Sequence, residues 1–302
     1  MIEKIKPYLE HVKGNTYCIV TSGCRIPLYK INETDAIMID SGYKSDWDGI
    51  LSLLQEENLN ITSLLISHVH PDHIGNNVNL RNQFGTKIYT SLFTAAVYAN
   101  PLNTMTLTSG NITYRTLAST RSFYLPDEII DWTASSVTVD GVTFSILQLP
   151  GHCAEQMGFV TPDNVAYVAD QLLSLQLIEN LSIPYFTSPE QNLESIDKLL
   201  ETNYDKYILA HNEVVDDIRK LAEINRNNIF EKTEFIEQLV EGKVTKTELV
   251  AIFLKKTGKE LDSFRKVNGI THNLTAIVAY LVDQGRLIET TSNGAVYYSR
   301  KK

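Results

Sequence analysis

Four short segments of this chain carry seven residues that can act as metal ligands, and they constrain the fold more than any other feature. The segments are HVHPDHIG from His68, PGH ending at His152, YVAD ending at Asp170 and ILAH ending at His211. Five of the seven histidines in the chain lie in them. Imidazole and carboxylate groups suit zinc, iron or manganese. The chain must therefore fold so that four distant segments meet at one place.

The spacing within HVHPDHIG predicts two metal positions. His68 and His70 alternate, and alternate residues of an extended segment point to the same side, so these imidazoles can share one metal. Asp72 and His73 follow where the chain has to turn into a helix, so they point away from the first pair. We expect them to hold a second metal close to the first.

The other three ligands each stand at the end of an apolar run. SILQLP leads to His152, VAYVA leads to Asp170 and KYILA leads to His211. Short apolar runs bounded by turn residues are typical of buried strands. The sequence therefore predicts that ligands from separate strand ends converge on one rim. Because a carboxylate can bridge two ions, Asp170 is the candidate bridge.

With these residues in this order, the chain resembles the metallo-β-lactamase superfamily over about residues 15–215. The resemblance implies that the first metal is held by His68, His70 and His152. It implies that the second metal is held by Asp72, His73 and His211, with Asp170 bridging the two.

The resemblance also bears on residues near the ligands. It implies that Asp40, in AIMIDSGY, braces the loops under the metals and binds neither. Zinc β-lactamases of the superfamily carry Cys at the position of Asp170 or lack a bridging carboxylate, so Asp170 argues against antibiotic hydrolysis. Cys153, next to His152, is interpreted as a small turn residue. Tyr185 is a candidate to steady a developing oxyanion, although packing of its loop is the favoured interpretation.

The order of elements predicts an α/β fold, and the resemblance implies an αββα metallo-β-lactamase sandwich with a small C-terminal domain. TYCIVT, IPLYKI and DAIMID are predicted strands, and KSDWDGILSLLQEEN is a predicted helix. Hairpin turns are predicted at Asp140 and Gly141 and at residues 162–164. Residues 101–131, rich in Thr, Ser and Asn, are either a substrate-facing cover or a plain surface insertion.

Charge divides the chain near residue 218. Residues 1–218 contain 12 Lys and Arg against 26 Asp and Glu, a balance of −14, whereas residues 219–302 contain 15 against 10, a balance of +5. The second part is predicted to hold helices over residues 215–239, TKTELVAIFLKKTG and THNLTAIVAYLVDQG, then a hairpin turning at Asn293 and Gly294. We therefore predict two domains, a catalytic domain 1–218 and a helical, winged-helix-like domain 219–302.

A basic winged helix can bind nucleic acid through its phosphates. The helix before the hairpin has few polar side chains that could contact bases. One of them, His272, is interpreted as a capping or surface residue. Packing or dimerisation, as in a homodimer, is therefore favoured over nucleic-acid contact. Four apolar residues of this domain are predicted to share one small core, namely Leu249, Phe253, Ile277 and Leu281.

The chain shows no sign of a membrane segment or a secretory leader. No window reaches the roughly 18 apolar residues that span a bilayer, and the amino terminus MIEKIKPYLEHVKG lacks an apolar signal core. The three cysteines form an odd set without zinc-knuckle spacing, which is consistent with reduced thiols. We expect a cytoplasmic protein that does not contact membranes.

The leading hypothesis is a metal-dependent hydrolase of a small-molecule substrate. Two ions about 3.5–4 Å apart lower the pKa of a bridging water, and the resulting hydroxide attacks the carbonyl of a small ester, thioester or lactone. Asp170 bridges the ions and Asp72 assists proton transfer. Zinc is the favoured ion, and iron and manganese accept the same ligands.

Two other functions stay open at this point. A phosphodiesterase or ribonuclease could use the same two ions, with the basic C-terminal domain holding nucleic acid. Alternatively, the metal site could sense rather than catalyse, with the winged helix as its output. The complete ligand set makes sensing the least favoured of the three, and no cofactor other than the metals is predicted.

Overall fold

The computed structural model describes residues 5–100, 102–104, 115, 123–211 and 213–301. Within them, a first sheet is formed by β1 (Tyr8–Lys13), β2 (Thr16–Val20), β3 (Arg25–Lys30), β4 (Asp35–Ile39), β5 (Asn60–Leu65), β6 (Lys87–Ser91) and β7 (Glu128–Ile130). The strands lie in this order, antiparallel from β1 to β4 and parallel from β4 to β7.

A second sheet faces the first. It is formed by β8 (Ser136–Val139), β9 (Val142–Gln148), β10 (Met157–Val160), β11 (Val165–Tyr167), β12 (Lys206–Ile208) and β13 (Val214–Val215). The strand order is β13-β12-β11-β10-β9-β8, and among the described strands of this second sheet only β11 and β12 pair in parallel. As a result, β9, β11 and β12 end at the same edge.

Helices cover the outer faces of both sheets. In the described residues they are α1 (Trp47–Glu56), α2 (Pro71–Ile74), α3 (Asn77–Phe84), α4 (Leu92–Ala99), α5 (Leu175–Asn180), α6 (Pro189–Leu200), α7 (Arg219–Leu239), α8 (Lys246–Thr257) and α9 (Phe264–Asp283). One buried cluster joins the first sheet to α1, α3 and α4, a second lies between the sheets, and a third joins the second sheet to α6, α7, α8 and α9. The predicted α/β fold with an αββα sandwich is therefore confirmed.

The local strand and turn signals are also confirmed. The predicted segments TYCIVT and DAIMID contain β2 and β4, β3 begins one residue before the predicted segment IPLYKI, and α1 lies in the predicted helix. Asp140 and Gly141 turn between β8 and β9 with φ of 50° and 80°, as a two-residue type I′ hairpin requires. Asn293 and Gly294 do the same with φ of 49° and 74° between the last two strands, β14 (Leu287–Ser292) and β15 (Ala295–Arg300).

One helix boundary was predicted wrongly. The helix expected over residues 215–239 begins at Arg219, because Val214 and Val215 form the short strand β13. Strand β13 pairs with β12, with Ile208 opposite Val214. The pairing to the sheet overrides the local helical pattern.

The C-terminal part packs against the sandwich. The four predicted core residues, Leu249, Phe253, Ile277 and Leu281, are all buried in one cluster, as expected. That cluster is larger than predicted, because it continues through α7 and α6 to Tyr207 and Leu209 at the second sheet. The winged-helix assignment and the boundary at residue 218 stay predictions.

The predicted cover, residues 101–131, lies mostly outside the described residues. Within the described part of it, Phe123 and Tyr124 pack against the cluster of the first sheet, and β7 completes that sheet. Among the described helices, none combines the length and the apolar character needed to cross a bilayer.

Candidate metal centre

All seven predicted ligands lie together at one edge of the sandwich, just beyond the ends of β5, β9, β11 and β12. Their ligand atoms form two groups, and within each group all of these atoms lie within 4.8 Å of one another. The first group is His68, His70, His152 and Asp170, and the second is Asp72, His73, His211 and Asp170. The fold thus brings together the side chains that were assigned to two metals, and their role as ligands stays a prediction.

Asp170 divides its two carboxylate oxygens between the groups. Its Oδ2 lies 3.2 Å from His152 Nε2 and 3.8 Å from His68 Nε2. Its Oδ1 lies 3.4 Å from His73 Nε2 and 3.4 Å from His211 Nε2. This arrangement is the one that a bridging carboxylate requires.

His70 and Asp72 complete the two groups. His70 Nδ1 lies 3.0 Å from His68 Nε2 and 2.8 Å from His152 Nε2. In the second group, Asp72 Oδ2 lies 3.4 Å from His73 Nε2. Pro71 at the start of α2 separates the two residues, so the chain turns between them and sends them to different groups, as predicted.

Two histidines are oriented by backbone carbonyls outside the groups. His152 Nδ1 donates to the carbonyl oxygen of Tyr185 at 3.1 Å, and His211 Nδ1 donates to that of Gly23 at 2.6 Å. A carbonyl oxygen only accepts, so the proton must reside on Nδ1 of each ring. Each ring therefore turns Nε2 toward the other ligands, which is the orientation of a metal-binding imidazole.

Asp40 orients two more histidines from beneath. Its Oδ1 accepts from the Ser67 backbone N–H at 2.8 Å. Its Oδ2 accepts from Ser67 Oγ at 2.6 Å, His73 Nδ1 at 2.7 Å and the Tyr167 hydroxyl at 2.7 Å. Because Ser67 Oγ gives its proton to Asp40, it accepts from His68 Nδ1 at 3.0 Å. Asp40 thus has the bracing position that was expected, whereas Ser67 and Tyr167 were not predicted, since neither carries a sequence signal.

Charge in the centre is dominated by its carboxylates. Burial lowers the pKa of His68 well below its usual value and that of His70 to about 3, so these rings are neutral. Burial also opposes a charge on His73, but Asp170 and Asp72 outweigh it and hold the pKa of His73 well above its usual value. The centre therefore requires positive charge. Protons on histidine supply it in the metal-free protein, and metal binding would release them.

Two buried atoms of the second group identify where a cation fits. His73 Nε2 and Asp170 Oδ1 have no hydrogen-bond partner within the described part of the chain. A buried polar atom without a partner costs about 1–3 kcal/mol, so folded proteins rarely leave two of them side by side. Imidazole nitrogen and carboxylate oxygen are ligands of zinc, iron and manganese. The residues present therefore fit a divalent metal.

A cleft of about 260 Å³ opens beside the first group. His70 lies in its lining together with Val69, Phe93, Val97 and Ala154, which supply apolar surface. Cys153 also belongs to the lining, and burial raises the pKa of its thiol to about 12. The thiol therefore stays protonated, which agrees with the interpretation of Cys153 as a structural turn residue.

Tyr185 forms another part of that cleft. Its ring centroid lies 5.0 Å from that of His70 and 5.3 Å from that of His152. It lies 5.1 Å from that of His272. His272 is exposed, as predicted for a surface residue, but its contact with Tyr185 beside the centre was not predicted. The separation of these residues along the chain explains why, because no local pattern links α9 to the loop that holds Tyr185.

Comparison with known families identifies the class of this protein. The family model described as "Metallo-beta-lactamase superfamily" matches residues 26–211, which is more than half of the chain and includes all seven ligands. The chain belongs to the metallo-beta-lactamase superfamily. Family and site together define a metal-dependent hydrolase.

Individual relatives support the same class. The chain is 30% identical over 142 residues to hydroxyacylglutathione hydrolase GloC of Haemophilus influenzae, a match that covers 47% of this chain and 63% of that protein. The match thus spans less than two thirds of the relative's length.

Solved structures share the fold at lower identity. A metallo-beta-lactamase family protein from Thermus thermophilus has a TM-score of 0.71 at 18% identity, with 92% of this chain and 94% of that chain covered. A beta-lactamase domain protein from Burkholderia ambifaria has a TM-score of 0.72 at 16% identity, with 97% and 93% covered. FEZ-1 metallo-beta-lactamase from Legionella gormanii has a TM-score of 0.61 at 16% identity, with 78% and 98% covered.

Proposed function

We propose that this protein hydrolyses a small ester, thioester or lactone with two divalent metal ions, zinc being the favoured ion. The observation that carries the proposal is the division of the Asp170 carboxylate between two groups of ligands. When bound, two such ions supply a hydroxide nucleophile at neutral pH and polarise the carbonyl that is attacked. His68, His70 and His152 would hold one ion, and Asp72, His73 and His211 the other, with Asp170 shared.

Asp72 is the residue that we expect to assist proton transfer. Burial would raise its pKa, but the neighbouring His73 and His211 hold it well below its usual value, so the carboxylate is ionised in the metal-free protein. Its side chain keeps 13% of its accessible surface, against 8% for Asp170. Asp72 is therefore the more accessible of the two carboxylates in the centre.

The cleft beside the first group favours a small uncharged acyl group. Its lining among the described residues is mostly apolar and contains no Lys or Arg that could hold phosphates. Residues 1–218 carry a net charge of −14, which repels a polyanion. The name of the relative from Haemophilus influenzae describes hydrolysis of an acylated glutathione, so thioesters come first among the candidate substrates.

The basic C-terminal part supports a second candidate, a phosphodiesterase or ribonuclease. Lys243, Arg300 and Lys301 line an open cleft of about 830 Å³, which could attract phosphates. Every described residue of that cleft, however, belongs to residues 240–301, and none of them lines the cleft beside the metal ligands. This separation favours the carbonyl substrate.

A substrate panel tests the proposal. The protein, loaded separately with zinc, iron or manganese, is assayed on acyl thioesters, p-nitrophenyl esters, lactones, bis(p-nitrophenyl) phosphate and single-stranded RNA. We expect kcat/KM to be highest for a thioester or ester and to be lost in His68→Ala. Faster turnover of RNA or of the phosphodiester would overturn the proposal. Stoichiometric metal with no turnover of any substrate would favour a sensing role instead.

A further inference from the structure

One residue of the C-terminal part, His272, reaches the cleft beside the first group of ligands. It lies in the middle of α9, and its imidazole stacks on the ring of Tyr185 with centroids 5.1 Å apart and planes inclined by 11°. Tyr185 in turn contacts the rings of His70 and His152. Both members of the stack line the cleft beside the first group of ligands. The stack therefore forms a wall of that cleft.

The wall is fixed from both sides. The Tyr185 carbonyl accepts the proton of His152 Nδ1, and the next residue, Phe186, is buried. Phe186 belongs to the same apolar cluster as Leu274 and Ile277 of α9. Helix α9 is therefore anchored to the loop that carries Tyr185, and this core holds the backbone of His272 beside the cleft.

The chemistry of the cleft indicates what it can receive. Apart from His70, His272 and the Tyr185 hydroxyl, the oxygen atoms of Thr104 and Thr187 are the polar side-chain groups among its described lining. Partial burial lowers the pKa of His272, so that ring presents a neutral face. At about 260 Å³, the cleft lies just below the range of about 300–1,000 Å³ that drug-sized ligands occupy. It suits a short, uncharged, mainly apolar group.

We propose that His272 and Tyr185 form the wall that seats the acyl group of the substrate, and that His272 is a specificity-determining residue supplied by the C-terminal part. This inference rests on the proposed function and narrows its substrate class to esters and thioesters of short uncharged acyl groups. It assigns no proton transfer to His272, whose role is to contact and confine the acyl chain.

The first test compares p-nitrophenyl acetate, butyrate and hexanoate in metal-loaded wild type, His272→Ala and His272→Phe. We expect His272→Ala to raise KM for butyrate by about fivefold to tenfold, the loss that roughly 50 Å² of apolar contact predicts, with kcat within about twofold. Relative kcat/KM should shift toward hexanoate, because the cleft widens. His272→Phe keeps a flat ring and should keep KM near the wild-type value.

His11→Ala is the matched control. His11 is also exposed and packs against a tyrosine, with its ring 4.9 Å from that of Tyr17, but neither residue lines the cleft. If His272→Ala behaves like His11→Ala, or lowers kcat with unchanged KM, the wall does not seat the acyl group. Failure of His272→Phe to restore KM would also overturn the proposal.

A second test does not depend on turnover. The three native cysteines are buried, and burial raises the pKa of each, so His272→Cys introduces the thiol that N-ethylmaleimide should label. We expect hexanoate to slow this labelling at least threefold, because its chain occupies the cleft. If hexanoate does not slow the labelling, the proposed role of the wall is refuted, even when the protein is an active esterase. Protection in a protein that cleaves no ester or thioester would refute the proposed function and leave the acyl-binding cleft in place.

Discussion

Replacing Asp40 by Asn tests the support beneath the metal centre. The Asp40 carboxylate accepts four hydrogen bonds while it is 2% exposed, and its φ of 64° lies in the left-handed region. Asn has the same shape and tolerates the same backbone conformation. Asp40→Asn therefore changes the charge and the hydrogen bonding without creating a cavity.

The magnitude follows from the four donors. An amide has one oxygen, so if that oxygen faces Ser67 Oγ, His73 Nδ1 and the Tyr167 hydroxyl, the amide NH₂ meets the Ser67 backbone N–H. One buried donor is then left unsatisfied, and the other three bonds lose their charged acceptor. A lost hydrogen bond to a charged group is worth about 1.5–3 kcal/mol, so we expect a loss of about 3 kcal/mol in the free energy of unfolding.

Metal affinity should fall as well. His73 loses the carboxylate that fixes its orientation, and loss of such a partner typically costs about 10–100-fold in metal affinity. Urea unfolding of the chelator-treated protein measures stability, and competition with a chromogenic chelator measures affinity. Asp140→Asn is the matched control, because Asp140 also has positive φ and accepts one hydrogen bond, from Thr62 Oγ1, but at an exposed turn. A loss for Asp40→Asn no larger than that of the control would refute this account of the brace.

Three further predictions address the centre and its surroundings. Asp170→Ala should reduce bound metal below two ions per chain by elemental analysis and lower turnover by about 10³-fold or more, with the circular dichroism spectrum unchanged. Gly151→Ala should destabilise the protein by about 3 kcal/mol or more in urea, because φ is +128° and the new Cβ would lie 2.3 Å from Asn192 N. At Gly141 a Cβ meets nothing within 4 Å, so Gly141→Ala should cost less. Truncation after Asp217 should give insoluble protein, since it exposes the core that α7 and α9 cover.

The convergence of the seven candidate ligands could be predicted because their signals are local. Each signal depends on a few neighbouring residues. The signals are the alternation in HVHPDHIG, the helix turn at Pro71 and three apolar runs that each end in a candidate ligand. Parallel alignment of β11 with β12 then brings the strand ends together. Asp40 was predictable through the family resemblance, whereas its partners Ser67 and Tyr167 were not, because a serine or a tyrosine at a strand end has many uses.

Helix α6 shows a signal that the sequence contained and the prediction missed. Ser188 caps it by accepting from Gln191 N, Pro189 occupies its first turn, and Ile196 and Leu199 lie on its buried face. These features are standard signs of a helix start and of an amphipathic helix. These signs were overlooked because the preceding segment, rich in Ser and Pro, is typical of a loop.

The placement of the C-terminal part could not be read from the sequence at all, and it changes how that part should be understood. Periodicity identified Leu249 and Ile277 as buried, but an apolar face specifies no partner. The charge shift near residue 218 suggested a separate module, yet Ile218 is itself fully buried in the cluster that joins the second sheet to α9. Since the same cluster holds the loop of Tyr185, the helix that carries His272 is positioned by the catalytic sandwich. A change in this core should therefore alter substrate selection and the orientation of His152, which donates to the Tyr185 carbonyl. His68 and His73 should change less, because Ser67 and Asp40 hold them from outside this core.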